Sequence, residues 1–387
     1  MIVTQRTRWP LVIHPHPVGV RRGVQQWSHS ARTLGATQLP PRVLVIGSST
    51  GLGLATRVIA ASQGSATIGV CHARPGAPAR PGSSGWYATA EVHALGAGRS
   101  HTVFADAFSD RAKELAARSI RDTVGKVDLV VYSIAARRRI DPDTGRIHRA
   151  VIAGLGDPFV MKTLDLATLS TRLTQLPIAT TEQVGDTVAV MGGDDWQRWW
   201  RALEDAGVLA DDARSIAFSY QGGELLRRIY RGGTLGAAKD HLEATARAMD
   251  TPDRPVRVVV TSAHVTQSSA VIPATPLYWS LLTHVLGDAT EGPLHQMHRL
   301  FADVLYRDKT DEQGRIRVDD RELNPAVQAE LATRWAAVDD DNLHDLAFPA
   351  AYRTALLRCS GFEVDGIDYA ADVDPVVDIE GVSGDER

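Results

Sequence analysis

Cysteine is scarce in this chain of 387 residues, with only Cys71 and Cys359 present. Two cysteines alone can build neither a disulfide framework nor a cysteine-rich zinc site. No run of about 18 apolar residues occurs, so no segment is expected to span a membrane. A net charge of −4 and a pI near 6.4 leave no basic field of the kind that nucleic acid requires. The opening stretch, MIVTQRTRWPLVIHPHPVGV, lacks an uninterrupted apolar core and a small-residue cleavage site, so it reads poorly as a signal peptide. Internal repeats and low-complexity tracts are missing too. What is left is a soluble cytoplasmic protein, and a composition of 44% hydrophobic and 23% charged residues fits that class.

What is present is an alternation. PRVLVIG (41–47), SATIGVCHA (65–73), HTVFADAF (101–108) and VDLVVYSIA (127–135) read as β-branched strands. Helix-like stretches such as LGLATRVIAASQ and DRAKELAARSIRDTVG separate them. RSIAFSY (214–220) and PVRVVVTS (255–262) continue the pattern. Strands alternating with amphipathic helices predict an α/β fold, a doubly wound parallel sheet of Rossmann type with about seven strands. The nearly continuous apolar runs suit strands buried on both faces. The whole chain, 1–387, reads as one enlarged domain with its core at about 40–340. The stretches 74–98 and 136–200 are rich in Gly, Pro and charge and read as insertions over the sheet. The acidic tail, 374–387, is expected to be loose.

VLVIGSSTGLGLATR places Gly47, Gly51 and Gly53 after a strand and at the start of a helix. Glycine permits positive φ and close backbone approach, and a helix N-terminus favours an anion. The candidate phosphate loop is therefore Gly47, Ser48, Ser49, Thr50, Gly51, Leu52 and Gly53. Its spacing is G-x-x-x-G-x-G, that of short-chain dehydrogenases. Two more strand ends fit a dinucleotide, because open sheets bind ligands at the carboxyl ends of their strands. Asp106 and Ala107 stand where adenine rests, and Ser133, Ile134 and Ala135 beside the nicotinamide ribose. Asp106 reads equally well as a helix cap.

Tyr230 and Lys239 stand nine steps apart, about 900° along a continuous helix, which would put them on opposite sides. Gly232 and Gly233 break such a helix at roughly 1 kcal/mol each. Thr234 is then expected to cap a new helix from Leu235. Tyr230 would lie in the preceding loop and Lys239 in the second turn. Attack of a hydride on a conjugated thioester puts charge on the carbonyl oxygen, where a tyrosine hydroxyl can donate. A nearby ammonium would lower the tyrosine pKa and bind ribose hydroxyls. On their own the two residues read equally as interfacial packing and a solvated helix lysine.

At this point the sequence resembles a known family, the trans-2-enoyl thioester reductases of the FabV type. The resemblance is carried nearly end to end by HPVG (16–19), VLVIGSSTGLGLATR (43–57), GWYATA (85–90), DAFSD (106–110), VDLVVYSIA (127–135), TVAVMGGDDW (187–196), SYQGGEL (219–225), IYRGGTLGAAK (229–239), VTQSSAVIPATPLY (265–278) and GFEVDGIDYAADVDP (361–375). It implies a monomeric reductase that takes a trans-2-enoyl thioester of CoA or acyl carrier protein, with NADH or NADPH. It implies Tyr230 as proton donor, Lys239 as the cofactor-binding lysine and Tyr220 at the substrate carbonyl. Val265, Thr266 and Gln267 match the loop by the nicotinamide. Residues 268–282 match the segment over the acyl pocket, with Ala270, Ile272, Pro273 and Leu277 as candidate lining.

Some positions depart from the family pattern. The acidic residue expected after the second strand is absent. His72, Ala73 and Arg74 stand there, and an arginine can pair with a 2′-phosphate, so acceptance of NADPH is expected. Solvent exposure is the plain alternative for Arg74. Arg227 and Arg228 replace an aromatic and a proline before the donor tyrosine. They either face solvent or meet a charged group on an unusual substrate. Leu52 replaces an aromatic, and Ala136 and Arg137 replace a Ser-Pro pair. Two alternatives follow: a specialised-metabolite reductase of the same fold, or a cofactor-binding homologue without turnover. His14 with His16, and His295 with His298, have no third ligand, so no metal is expected. The basic run ARRRI (136–140) reads as solvated surface or a contact for carrier phosphates. The tryptophans of DDWQRWWRAL read as core.

Overall fold

The computed structural model describes residues 1–307 and 309–384. Its centre is a parallel sheet of eight strands: β1 Arg42–Ile46, β2 Ala66–Cys71, β3 Ser100–Phe104, β4 Val127–Tyr132, β5 Leu209–Ser219, β6 Val256–Val260, β7 Ile316–Arg317 and β8 Val382–Gly384. Their spatial order is β7-β6-β5-β4-β1-β2-β3-β8. Strand order reverses between β1 and β4, which opens a crevice at their carboxyl ends, the usual ligand position in open α/β sheets.

Alternation along the strands feeds two cores. Leu44 and Ile46 point to one face, with Ile68, Val70, Val130 and Val258, under α4 Asp110–Thr123, α6 Asp194–Asp205 and α8 Thr234–Met249. Val43 and Val45 point to the other, with Leu129, Val131 and Val259, under α1 Pro17–Thr33, α2 Gly51–Ser62, α3 Ser84–Gly96 and α10 Pro293–Arg299. The middle positions of β1, β4 and β6 point apolar side chains to both sides because both faces are covered. Trp196 and Trp199 are wholly buried in the first core. The indole N–H of Trp196 donates to Ser215 Oγ at 2.9 Å.

A third apolar cluster contains Tyr230. It packs α9 Thr275–Leu286 against α11 Pro325–Ala337, α12 Pro349–Arg358 and the antiparallel hairpin Phe159–Asp165/Ser170–Leu176. Among the described residues no helix is long and apolar enough to cross a membrane.

Three expectations change. The sheet has eight strands rather than about seven. The stretches read as insertions contain regular crossover helices: α3 links β2 to β3, and α5 Thr181–Met191 and α6 lie between β4 and β5. Only the hairpins at 138–149 and 159–176 are additions of the kind foreseen. The tail is docked through residue 384 rather than loose from 374. Its acidic residues Asp374, Asp378 and Glu380 alternate with Pro375, Val377 and Ile379, so charge faces water while the apolar side turns inward. The carbonyls of Pro375, Val377 and Glu380 accept from Tyr87, Trp86 and His93, and β8 pairs with β3.

Candidate active site

The loop after β1 is tightly built. Gly47 has φ +86° and Gly51 has φ +55°. A Cβ at Gly47 would lie 2.3 Å from the Ser133 carbonyl oxygen, and one at Gly53 would lie 2.2 Å from the Gly47 carbonyl oxygen. Only glycine allows the ends of β1 and β4 to close onto the first turn of α2. Thr50 makes no side-chain cap bond there, so no side chain of its own blocks the N–H groups at the helix start. Ser49, Thr50 and Gly51 line a cavity of about 390 Å³, with Trp27 of α1 and Val265, Thr266 and Gln267 on other walls. A glycine cradle beside an open helix N-terminus fits a dinucleotide pyrophosphate.

Further along the crevice, the backbone carrying Ala107 is held from below. Its carbonyl accepts from Lys113 Nζ at 3.2 Å and from the Trp199 indole at 3.0 Å. Lys113 also meets Asp195 at 2.9 Å, and Tyr132 donates to the same carboxylate at 3.0 Å. This buried charge pair fixes the wall where adenine is expected. Asp106 is exposed and caps its own turn, accepting from Phe108 N at 3.0 Å.

Tyr220, Tyr230 and Lys239 come together at the carboxyl end of β5. Tyr230 ends a short helix, α7 Arg227–Tyr230, and is 4% exposed. The chain turns at Arg231–Gly233, and Lys239 follows in the second turn of α8. Thr234 is the first residue of α8 rather than its cap. Its hydroxyl donates to the Val151 carbonyl and accepts from Ala153 N, fastening the helix to the 151–153 connection. The Tyr220 and Tyr230 rings meet edge to face at 4.7 Å, and Lys239 Nζ sits 5.7 Å from the Tyr230 ring centre. Lys239 donates to Ser219 Oγ at 3.3 Å. The hydroxyl of Tyr230 shares a hydrogen bond with Thr275 Oγ1 at 3.0 Å.

The electrostatics differ from the expectation that Lys239 lowers the tyrosine pKa. Burial pushes the Tyr230 hydroxyl up, more than its bond to Thr275 lowers it. Burial and the neighbouring Arg231 bring Lys239 down to about 8. Tyr230 therefore keeps its proton at neutral pH, the state that a donor needs.

Sequence reasoning missed Glu322, Tyr278 and Thr275. Glu322 accepts from Tyr220 at 2.8 Å, from Tyr278 at 2.9 Å and from Ala263 N at 2.7 Å. The only signal available was a lone Glu after a short strand, and its partners are 44 or more residues away in sequence.

Other candidates divide. Ala270, Ile272 and Leu277 pack in the Tyr230 cluster, and Pro273 is half-buried in the same segment. Ser133 and Ile134 are half-buried at the end of β4, and Ala135 and His72 are exposed. Arg74 is exposed, with one guanidinium bond to the Pro81 carbonyl at 3.4 Å, beside buried Ala73. Arg227 does not join the pocket; its side chain is 68% exposed and pairs with Glu224. Arg228 stacks over the Phe159 ring at 4.1 Å on the surface. Solvation of a guanidinium costs less than burial without a counter-charge, which explains both positions. Among the described residues no cluster of His, Cys, Asp and Glu could hold a metal.

Comparison with known proteins identifies the family and the fold. The family described as the trans-2-enoyl-CoA reductase catalytic region matches residues 80–306. The NAD(P)H binding domain of trans-2-enoyl-CoA reductase matches 2–78, and the enoyl reductase FAD binding domain matches 310–373. An enoyl-[acyl-carrier-protein] reductase [NADH] of Methylobacillus flagellatus is 41% identical, covering 99% of this chain and 100% of the relative. One of Variovorax paradoxus is 42% identical, covering 98% of each. The crystal structure of Clostridium acetobutulicum trans-2-enoyl-CoA reductase in complex with NADH superposes with a TM-score of 0.93 at 33% identity, over 97% of this chain and 98% of that one. The Treponema denticola enzyme in complex with NAD gives 0.93 at 37%, with the same coverage.

Residues 310–373 do not fit a flavin. Gly314, Gly361 and Gly366 follow no strand that leads into a helix. The apolar side chains Leu331, Val338, Tyr352 and Leu356 are spent packing on α9. No step is assigned to a flavin.

Proposed function

The chain belongs to the trans-2-enoyl-CoA reductase family, and from that we propose that it reduces the C2=C3 double bond of a trans-2-enoyl thioester, using NADH or NADPH. The single observation carrying this reading is the meeting of a protonated, buried Tyr230 with Lys239 and Ser219 at the carboxyl end of β5, one strand out from the cofactor crevice between β1 and β4. When bound, the reduced nicotinamide supplies the hydride that reaches the β-carbon. Tyr230 holds a proton at the thioester oxygen as charge develops there, in a site whose low polarity strengthens the bond, and protonation of the resulting enolate at the α-carbon completes the reduction. Lys239 binds the ribose hydroxyls. Thr275 keeps the Tyr230 hydroxyl in place. Ala270, Ile272 and Leu277 exclude water from the acyl chain.

The thioester carrier is CoA or acyl carrier protein, the two named among the relatives. The working unit in this reading is a monomer. Cys71 and Cys359 are free thiols, which suits a reducing, cytoplasmic setting. Arg227 and Arg228 lie at the surface, so these two residues give no support to a charged, specialised substrate.

The test is loss of reduced-nicotinamide absorbance with crotonyl-CoA, a longer trans-2-enoyl-CoA and an enoyl-carrier-protein, for wild type and Tyr230→Phe. Turnover is expected, falling about 10²- to 10⁴-fold in the variant with NADH affinity retained. Tyr230→Phe turnover within a few-fold of wild type would remove Tyr230 from the chemistry. Wild-type protein that binds NADH but turns over none of the thioesters would leave the inactive-homologue reading standing.

A further inference from the structure

Glu322 lies between β7 and α11 and is fully buried, at 0% exposure. Three donors converge on its two oxygens. Oε1 accepts from the Tyr220 and Tyr278 hydroxyls, and Oε2 accepts from Ala263 N. A carboxylate surrounded by donors alone is satisfied when ionised, because that form only accepts. Each tyrosine has one hydroxyl hydrogen. With Glu322 ionised, Tyr220 gives its hydrogen to Oε1 and has none for a thioester oxygen. A protonated Glu322 carries a hydrogen of its own and can donate it to the Tyr220 oxygen. The Tyr220 hydrogen is then free to turn away from Glu322, toward the side on which its ring meets Tyr230.

We propose that Glu322 is a positioning residue that sets the direction of the Tyr220 hydrogen: ionised, it withholds that hydrogen and leaves Tyr230 as sole donor to the substrate oxygen; protonated, it adds Tyr220 as a second donor. This rests on the enoyl thioester reading above. Burial raises the Glu322 carboxyl to about 7, against the lowering effect of its three hydrogen bonds, so both forms are populated near neutral pH.

The groups facing Glu322 are few. Tyr220 comes from the end of β5 and Tyr278 from α9. The end of β6 offers only the Ala263 N–H. From α11, neutral Gln328 donates to the Tyr278 oxygen at 3.1 Å and to the Glu322 carbonyl at 2.7 Å. Asp319, on the same segment, pushes the carboxyl up, and it is paired with Arg317 at 2.6 Å. Tyr230 of α7 is reached through the Tyr220 ring.

The experiment is the pH profile of kcat/KM for crotonyl-CoA with saturating NADH, from about pH 6 to about pH 8, in wild type, Glu322→Gln and Tyr220→Phe. Wild type is expected to fall severalfold and by no more than about tenfold, the ratio of protonated carboxyl on either side of a titration near 7, because the ionised form still works through Tyr230. Glu322→Gln gives its oxygen to Ala263 N–H and its amide hydrogens to the tyrosines, so Tyr220 stays free at every pH and the step vanishes. Tyr220→Phe loses the step with Glu322 intact, which covers the case that the glutamine variant does not fold. Both variants keep any alkaline limb from Lys239. Infrared difference spectra read the same event without turnover: a protonated-carboxyl band lost between the two pH values, and missing in Glu322→Gln. A step that survives in either variant, or the absence of that band in wild type, overturns the proposal. Wild type inactive at every pH overturns the thioester reading instead, and the band still decides whether Glu322 titrates beside Tyr220.

Discussion

Replacing Lys239 with methionine should make the protein more stable at pH 7 and poorer at its task. The lysine sits in an apolar setting beside Arg231, and its pKa falls from 10.5 to about 8. Between those values the folded chain binds fewer protons than the unfolded one, so stability rises with pH across that window. Below about pH 8 the full cost of the buried ammonium is borne. A difference of about 2.5 units corresponds to roughly 3.5 kcal/mol at most, since one unit is about 1.4 kcal/mol. Methionine has similar length and no charge. It forfeits the bond to Ser219 Oγ, about 1 kcal/mol, leaving a net gain on the order of 2 kcal/mol at pH 7. Thermal unfolding of both proteins at about pH 7 and about pH 10 without cofactor measures this. Methionine should melt a few degrees higher at the lower pH, and the difference should shrink at the higher one. NADH affinity, followed by fluorescence, should fall at least tenfold with the loss of the ribose contacts. Equal melting at both pH values would refute the account of burial, and unchanged NADH affinity would refute the role in the cofactor site.

Other outcomes follow from the same structure. Gly53→Ala should abolish measurable NADH binding and lower stability by about 1–3 kcal/mol, because its methyl meets the Gly47 carbonyl 2.2 Å away; calorimetry and unfolding check it. NADPH should be accepted, and Arg74→Glu should cut kcat/KM for NADPH at least tenfold while leaving NADH within a few-fold, since Arg74 is exposed beside the adenosine end and can pair with a 2′-phosphate. Truncation after Val373 should lower Tm by several degrees, because Trp86, Tyr87 and His93 lose their carbonyl partners and β3 its neighbour β8; an unchanged Tm would make the docked tail energetically idle.

Local rules carried much of this protein. Nearly continuous apolar runs at 43–46, 66–71 and 127–132 read as strands covered on both faces, and alternation with helices then pointed to parallel order. Gly47 and Gly53 announced their turn because no side chain fits that approach, and Gly51 because its φ is positive. Gly232 and Gly233 announced the break that lets Tyr230 and Lys239 meet. The tail misled because composition counts charge, whereas docking depends on the side to which each residue points, and acidic and apolar residues alternate there. Glu322 was illegible for a different reason. A carboxylate becomes a partner of Tyr220, Tyr278 and Ala263 only when β5, α9 and the end of β6 converge, and no spacing within a segment records that convergence. The raised Tyr230 and lowered Lys239 pKa values share this origin: sequence supplies the groups, while burial, which exists only once the third cluster closes over them, sets their protonation.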